Sequence, residues 1–296
     1  MAITASQVKE LRELTNAGMM DCKKALVETD GDMKKAVDWL REKGIAKAAK
    51  KQSRVAAEGL STILVDGNKA VIVEVNAETD FVAKNDKFLA LLDAVAKTLI
   101  ANNAASVEEA LTLKAEDGET LDAKIVNATA IIGEKITLRR FEVVAKNDDE
   151  IFGVYKHQGG RISAVVVLKG TKDEGMAKNI AMQVASMNPT YVSRNDMPAD
   201  VIDHEREIQM GLLENDEKLA GKPEKVKAGI VEGRLSKSLE DMCLVDQEYF
   251  LDSEKKVGQF LKENGAECVK FVKYTVGEGI EKKQDDFAAE VAAMAK

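Results

Sequence analysis

Hydrophobic and polar positions change period several times along this chain, and each change predicts an element. Ala70-Val71-Ile72-Val73-Glu74-Val75-Asn76 is short, β-branched and entered through Asp66-Gly67-Asn68, so with Leu60 to Val65 it predicts an antiparallel hairpin. Phe88, Leu91, Leu92, Val95 and Leu99 recur at helical spacing behind Asn85 and Asp86, either of which can cap a helix. Phe81 lies on the polar connection between the two. A loop aromatic of this kind either tucks back to close the hairpin core or is offered to a partner.

The first fifty residues predict three helices. Thr4-Ala5-Ser6-Gln7 forms a capping box for a helix carrying Val8, Leu11 and Leu14, and Asn16-Ala17-Gly18 ends it. A second short helix follows Asp21. Asp30-Gly31 turns the chain into a third, with Met33, Ala36, Val37 and Leu40 as its apolar stripe and Gly44 as its stop. A Gly18-Met19-Met20 loop between short helices is similar to ubiquitin-associated domains, where such a loop presents apolar residues. The alternative is that Met19 and Met20 fill the small core. Residues 45–54 carry Lys47, Lys50, Lys51 and Arg54 among alanines and read as a solvated helical linker.

Further along, a helix is expected over Glu119 to Ile132. Strands follow at Lys135 to Val144, Ile151 to Lys156 and Arg161 to Lys169, joined by Asn147-Asp148-Asp149 and Gln158-Gly159-Gly160 turns. The helix Glu174 to Met187 is stopped at Asn188-Pro189. A hairpin followed by an apolar helix thus occurs twice, which implies two related antiparallel-sheet/helix subdomains. Pro189-Thr190-Tyr191-Val192-Ser193-Arg194-Asn195-Asp196 echoes the Phe81 run, and reads as coincidence because one copy precedes a helix and the other follows one. Residues 199–238 predict two antiparallel helices joined at Ala220-Gly221-Lys222-Pro223, with Val201, Ile208, Leu212, Val226, Ile230 and Leu235 as apolar positions in a slender projecting hairpin. Val257, Phe260 and Leu261, the strand Cys268 to Val276, and an alanine-rich helix with Phe287, Val291 and Met294 complete the chain. The expected fold class is α+β. Its parts are a three-helix domain with a basic linker (1–54), two core subdomains (55–146; 147–198 with 239–275), a helical hairpin (199–238) and a C-terminal helical module (276–296).

Composition narrows the chemistry. A net charge of −8 over 296 residues argues against broad non-specific binding to nucleic acid. Apolar runs such as Ala164 to Leu168 fall far short of the roughly 20 residues that cross a bilayer, and the first residues lack a signal-peptide pattern. Cys22, Cys243 and Cys268 are odd in number and without metal-ligand spacing, which suits reduced thiols in the cytoplasm. Gly221-Lys222-Pro223 fails as a phosphate loop, since proline offers neither a hydroxyl nor an N–H. His157 and His204, the only histidines, fall in different modules, so neither a metal site nor a Ser/His pair is expected. No cofactor is implied.

Leu11-Arg12-Glu13-Leu14-Thr15-Asn16-Ala17-Gly18-Met19-Met20-Asp21-Cys22-Lys23-Lys24-Ala25-Leu26 and Thr79-Asp80-Phe81-Val82 closely resemble the two signature segments of bacterial elongation factor Ts. The resemblance extends through Ile132-Gly133-Glu134-Lys135-Ile136, Val231-Glu232-Gly233-Arg234 and Val276-Gly277-Glu278-Gly279-Ile280-Glu281-Lys282. Ala77 departs from it, standing where the family more often has Cys or Ser. The resemblance implies a guanine nucleotide exchange factor for elongation factor Tu, with no covalent chemistry and no nucleotide binding of its own. It further implies that Phe81, flanked by Thr79, Asp80 and Val82, wedges into the GTPase domain and disturbs its Mg²⁺ and phosphate contacts. Arg12, Met19, Met20 and Lys23 are implied as an N-terminal contact, with Ile132, Gly133, His157, Val231 and Phe287 as further ones. The helical hairpin corresponds to a coiled coil, for which homodimerisation and GTPase contact both stay open. The competing class is a non-catalytic adaptor or RNA-associated scaffold.

Overall fold

The structure, a computed structural model, describes residues 3–15, 17–216, 219 and 221–281. The chain divides into two units. The first takes in Met1–Val144, Gln158–Ile162 and the chain from Tyr274 on; the second takes in Ala145–His157 and Ser163–Lys273. The expected α+β character is present, as helices combined with small antiparallel sheets.

Three helices open the first unit: α1 (Ala5–Thr15), α2 (Met19–Glu28) and α3 (Met33–Ala49). The capping box forms as expected, with Thr4 N donating to Gln7 Oε1 at 3.0 Å and Gln7 N to Thr4 Oγ1 at 3.3 Å. Val8, Leu11, Cys22, Ala25, Leu26 and Ala36 are the bundle core. Asp30 and Gly31 turn the chain at positive φ, and Asp32 caps α3 by accepting from Lys35 N.

Three sequence expectations fail here. Leu14 is not a core residue: it is exposed, because the buried face of α1 ends with Val8 and Leu11. The second helix starts at Met19, with Gly18 as its N-cap, rather than after Asp21. Gly44 does not stop α3. A Cβ built there would lie 3.3 Å from Ala130 Cβ, so the glycine lets two helices approach closely and α3 continues to Ala49. The basic stretch is therefore no free linker, since Lys51 Nζ donates to the carbonyl of Gly133 and Arg54 pairs with Glu78.

Strands β1 (Glu58–Asp66) and β2 (Lys69–Ala77) pair antiparallel from Glu58↔Ala77 to Asp66↔Lys69, closed by Gly67 and Asn68. Helices α4 (Asp86–Ala101), α5 (Val107–Thr112) and α6 (Leu121–Ile132) follow, then β3 (Thr137–Ala145), giving sheet order β1-β2-β3. The predicted stripe of α4 is buried against the sheet together with Val71, Val73, Val75, Leu121 and Ile125. Helix α5, too short for a periodicity signal, was not expected.

Glu74 interrupts this apolar strand with a fully buried carboxylate. It accepts from Arg139 Nη1 at 2.9 Å, Arg140 Nε at 2.6 Å and Gly277 N at 2.8 Å. Arg140 also stacks on Tyr274 and donates to the carbonyl of Thr275. Burial alone would raise the Glu74 pKa; the Gly277 amide and the two guanidinium groups outweigh it and hold the carboxyl below the usual glutamate range.

The second unit contains β4 (Glu150–His157), β5 (Ile162–Lys169), α7 (Glu174–Met187), α8 (Ala199–Glu214), α9 (Glu224–Met242), β6 (Glu248–Tyr249), β7 (Asp252–Lys256), α10 (Val257–Glu263) and β8 (Glu267–Thr275). Its sheet order is β4-β5-β8, with β6 and β7 forming a separate hairpin. Thus β3 and β4, joined by one turn, belong to different sheets: β3 pairs beside β2, and β4 beside β5. Gly153 allows β4 to lie on α7, since a Cβ there would sit 2.0 Å from the carbonyl oxygen of Ala177.

Helix α8 ends at Glu214, before the expected break, where Asn215 Nδ2 bonds back to the carbonyl of Gly211. The buried positions of the α8/α9 pair are Leu213, Val231, Leu235 and Leu239, whereas Ile208, Leu212 and Val226 from the predicted stripe are exposed. The β6/β7 hairpin escaped sequence reading, although it carries Tyr249, which stacks on Phe260 with ring centroids 4.3 Å apart. Among the described residues no helix is long and apolar enough to cross a membrane. The expected C-terminal helix with Phe287, Val291 and Met294 lies outside the described residues.

Candidate functional site

Strand β2 delivers the chain to Thr79, and a 3-10 helix over Asp80–Lys84 carries it into α4. With three residues per turn, such a helix cannot turn all its side chains inward. Val82 takes the inward position, 4% exposed, and Ala83 packs against the same core. Phe81 is consequently left 82% exposed, more than any other large apolar residue described. The hairpin core is closed by Val82, and the reading of Phe81 as its plug is overturned. Asn85 accepts from Lys87 N and starts the next helix.

Two dipeptides far apart in sequence hold the loop from behind. Thr79 N donates to Glu134 Oε2 at 2.9 Å and Thr79 Oγ1 to Glu134 Oε1 at 2.7 Å, while Lys135 N donates to Glu78 Oε1. Each carboxylate thus receives the backbone amide of the other pair. Gly133, in the left-handed conformation, ends α6 and sets this clasp in place. Lys135 Nζ extends it to the carbonyls of Gln52 and Arg54. Asp80, which flanks Phe81, is exposed; Thr79 provides the bonds that fix the loop. Glu134 and Glu78 had no role in the sequence reading, since a carboxylate pairing with an amide over fifty residues away leaves no local pattern.

The N-terminal candidates gather on the same unit. Met19 and Met20 are 59% and 72% exposed on the first turn of α2, and Arg12 and Lys23 are exposed beside them. The small core is already filled without the methionines. Arg12, Ala17, Gly18 and Met19 line a cavity of about 280 Å³ together with Lys87 of α4 and Ile131 of α6. The N-terminal motif and the helix that follows Phe81 therefore share one cleft.

The remaining candidates are dispersed. Ile132 is half-buried against the core of the first unit, and Gly133 is the exposed end of α6. His157 ends β4 in the second unit, with its Nδ1 3.1 Å from Tyr155 Oη. Val231 is 7% exposed, a packing residue of α9 with little surface to offer a partner. Phe287 lies outside the described residues. A larger cavity of the second unit, about 810 Å³, collects none of these candidates. Among the described residues no cluster of His, Cys, Asp and Glu is arranged to hold a metal ion.

The family model described as elongation factor TS matches residues 78–278. The match begins at Glu78 of the clasp, takes in the Phe81 loop and the Ile132–Ile136 segment, and ends at Glu278 beside Arg140. Covering more than half of the sequence, it establishes that the chain belongs to the elongation factor Ts family.

Proposed function

We propose that nucleotide exchange on elongation factor Tu, the activity that the family carries and one without covalent chemistry, is driven in this chain by insertion of Phe81 into the GTPase domain. The observation that carries this reading is an aromatic ring held 82% exposed on an anchored loop. An exchange factor must bind the nucleotide-free GTPase better than the loaded one, because equal affinity for both states shifts nothing. Such a GTPase holds its diphosphate through loop amides, a lysine and a bridging Mg²⁺, so displacing the elements around that ion weakens the hold. Burying a phenylalanine ring removes about 200 Å² from water, a gross gain of about 5 kcal/mol. That is a large part of the roughly 12 kcal/mol by which a nanomolar nucleotide is bound.

The N-terminal helices supply the second contact in this scheme. Met19 and Met20 offer adaptable apolar surface, and Arg12 and Lys23 border it with positive charge. Gly133 and His157 are further contacts, and the exposed Ile208, Leu212 and Val226 make the α8/α9 pair a surface for the GTPase or a second copy of the chain. Mixing the protein with elongation factor Tu loaded with fluorescent GDP tests the scheme. Release of GDP and GTP should both accelerate, and added nucleotide should dissociate the complex, as linkage requires. Saturable GDP binding by the isolated chain in equilibrium dialysis would overturn it.

A further inference from the structure

We infer that Glu134 is a positioning residue for exchange, acting through Thr79 to hold Phe81 in its outward pose. This inference rests on Phe81 being the wedge. Thr79 stands where a helix N-cap stands, and a threonine there ordinarily turns its hydroxyl onto the first free amides of the helix. Here it makes no such bond. Its hydroxyl and its own amide both go to the carboxylate of Glu134, one to each oxygen, at 2.7 and 2.9 Å. Two bonds from one residue to one planar group fix its orientation as well as its position, and charged acceptors make both bonds strong.

Glu134 is suited to serve as this fixed point. It follows Gly133, the left-handed end of α6, whose carbonyl is held by Lys51 Nζ, and it precedes Lys135, whose amide is held by Glu78. From Thr79 only Asp80 intervenes before Phe81. The far side of the loop is held independently, by burial of Val82 and by the Asn85 cap. Removing the carboxylate therefore frees one end of the loop and leaves the other in place. The ring would still be present but would have to be ordered during insertion, and a reacting group out of place costs rate in the step that uses it. Initial docking, which uses the N-terminal helices, would be unaffected.

Fluorescent GDP release from elongation factor Tu, measured at saturating and limiting exchange factor, tests this with Glu134→Ala, Glu134→Gln, Phe81→Ala and the double variant Phe81→Ala/Glu134→Ala. Glu134→Ala should lower the saturating rate about tenfold with the half-saturating concentration within about twofold. Glu134→Gln should stay within about threefold of wild type, because its carbonyl can accept from the Thr79 amide and its NH₂ can donate to the Thr79 hydroxyl. The double variant should be no slower than Phe81→Ala alone, since a positioning residue has nothing to position once the ring is gone. An unchanged rate for Glu134→Ala, a glutamine variant as slow as the alanine one, or multiplying losses in the double variant would each overturn the inference. If Glu134→Ala fails to fold, Thr79→Val, which removes only the hydroxyl bond, takes its place, with a loss of about threefold expected and no loss overturning. Phe81→Ala separates the two levels: full activity there would remove the wedge itself, whereas a slow Phe81→Ala beside a fast Glu134→Ala would remove only the role of Glu134.

Discussion

Thr79-Asp80-Phe81-Val82-Ala83-Lys84-Asn85-Asp86 and Thr190-Tyr191-Val192-Ser193-Arg194-Asn195-Asp196 both lead from extended backbone through a 3-10 turn towards a helix, yet they dispose of their aromatic rings differently. Phe81 stands in water. Tyr191 is half-buried against Met197, Leu235, Leu239 and Cys243, its amide bonded to the carbonyl of Met242 and its carbonyl to the amide of Leu244. In the second run the turn starts only at Arg194, capped by Ser193 and Asp196, so the aromatic still lies in extended backbone paired with another segment. In the first run the turn starts at Asp80, the aromatic falls inside it, and Val82 takes the inward place. What holds the backbone, rather than the identity of the residue, decides which way the ring faces.

The strongest way to test that rule is to loosen the strand that delivers Phe81. Glu74→Ala leaves Arg139 and Arg140 without their buried partner and should destabilise the first unit by about 3–5 kcal/mol in denaturant titrations. Because the folded pKa of Glu74 is depressed, its contribution is complete above the ordinary glutamate value of 4.5 and is lost as pH falls below that towards the folded pKa. The gap between wild type and Glu74→Gln should therefore narrow in acid. Tyr191→Ala should cost about 2 kcal/mol of stability, seen in the same titrations, while nucleotide release per folded molecule stays within about twofold. Phe81→Ala reverses that pattern: stability within about 0.5 kcal/mol, and stimulated GDP release at least about tenfold slower, or about 1.4 kcal/mol in the barrier. The smallest effect belongs to Met19→Ser with Met20→Ser, where binding of elongation factor Tu should weaken by about threefold to tenfold and the melting temperature should hold. A Phe81 variant that unfolds, or a Tyr191 variant that exchanges slowly and melts normally, would break the comparison.

Much of the fold was legible because local rules and tertiary packing agree. The β1/β2 hairpin, the stripe of α4, and the end of α7 at Asn188 follow from a β-branched run entered through a Gly67-Asn68 turn, helical spacing and a residue that tolerates the left-handed conformation. The failures are places where a distant segment decides. Gly44 reads as a stop until Ala130 is known to lie against it, so removing the first fifty residues uncovers α6 rather than detaching a free module. The same holds for the α9 stripe and for the Thr79–Glu134 clasp, whose residues look like solvated polar positions in isolation. The echo of the Phe81 run reads as coincidence because it follows α7, yet it also precedes α8, the first helix that the sequence predicts over 199–238.

The carboxylate of Glu74 has a consequence for how the chain is made. The amide it accepts from belongs to Gly277, 203 residues further on. Closing so long a loop is slow, and a growing chain emerges from its N-terminal end first. The first unit can assemble its sheet, its helices and the Glu74–Arg139–Arg140 cluster early, but the last strap across that cluster arrives only after the whole second unit has been synthesised. During that interval Glu74 relies on its two arginines and on the Asn76 side-chain amide, so the first unit reaches full stability only when its own last segment has been made.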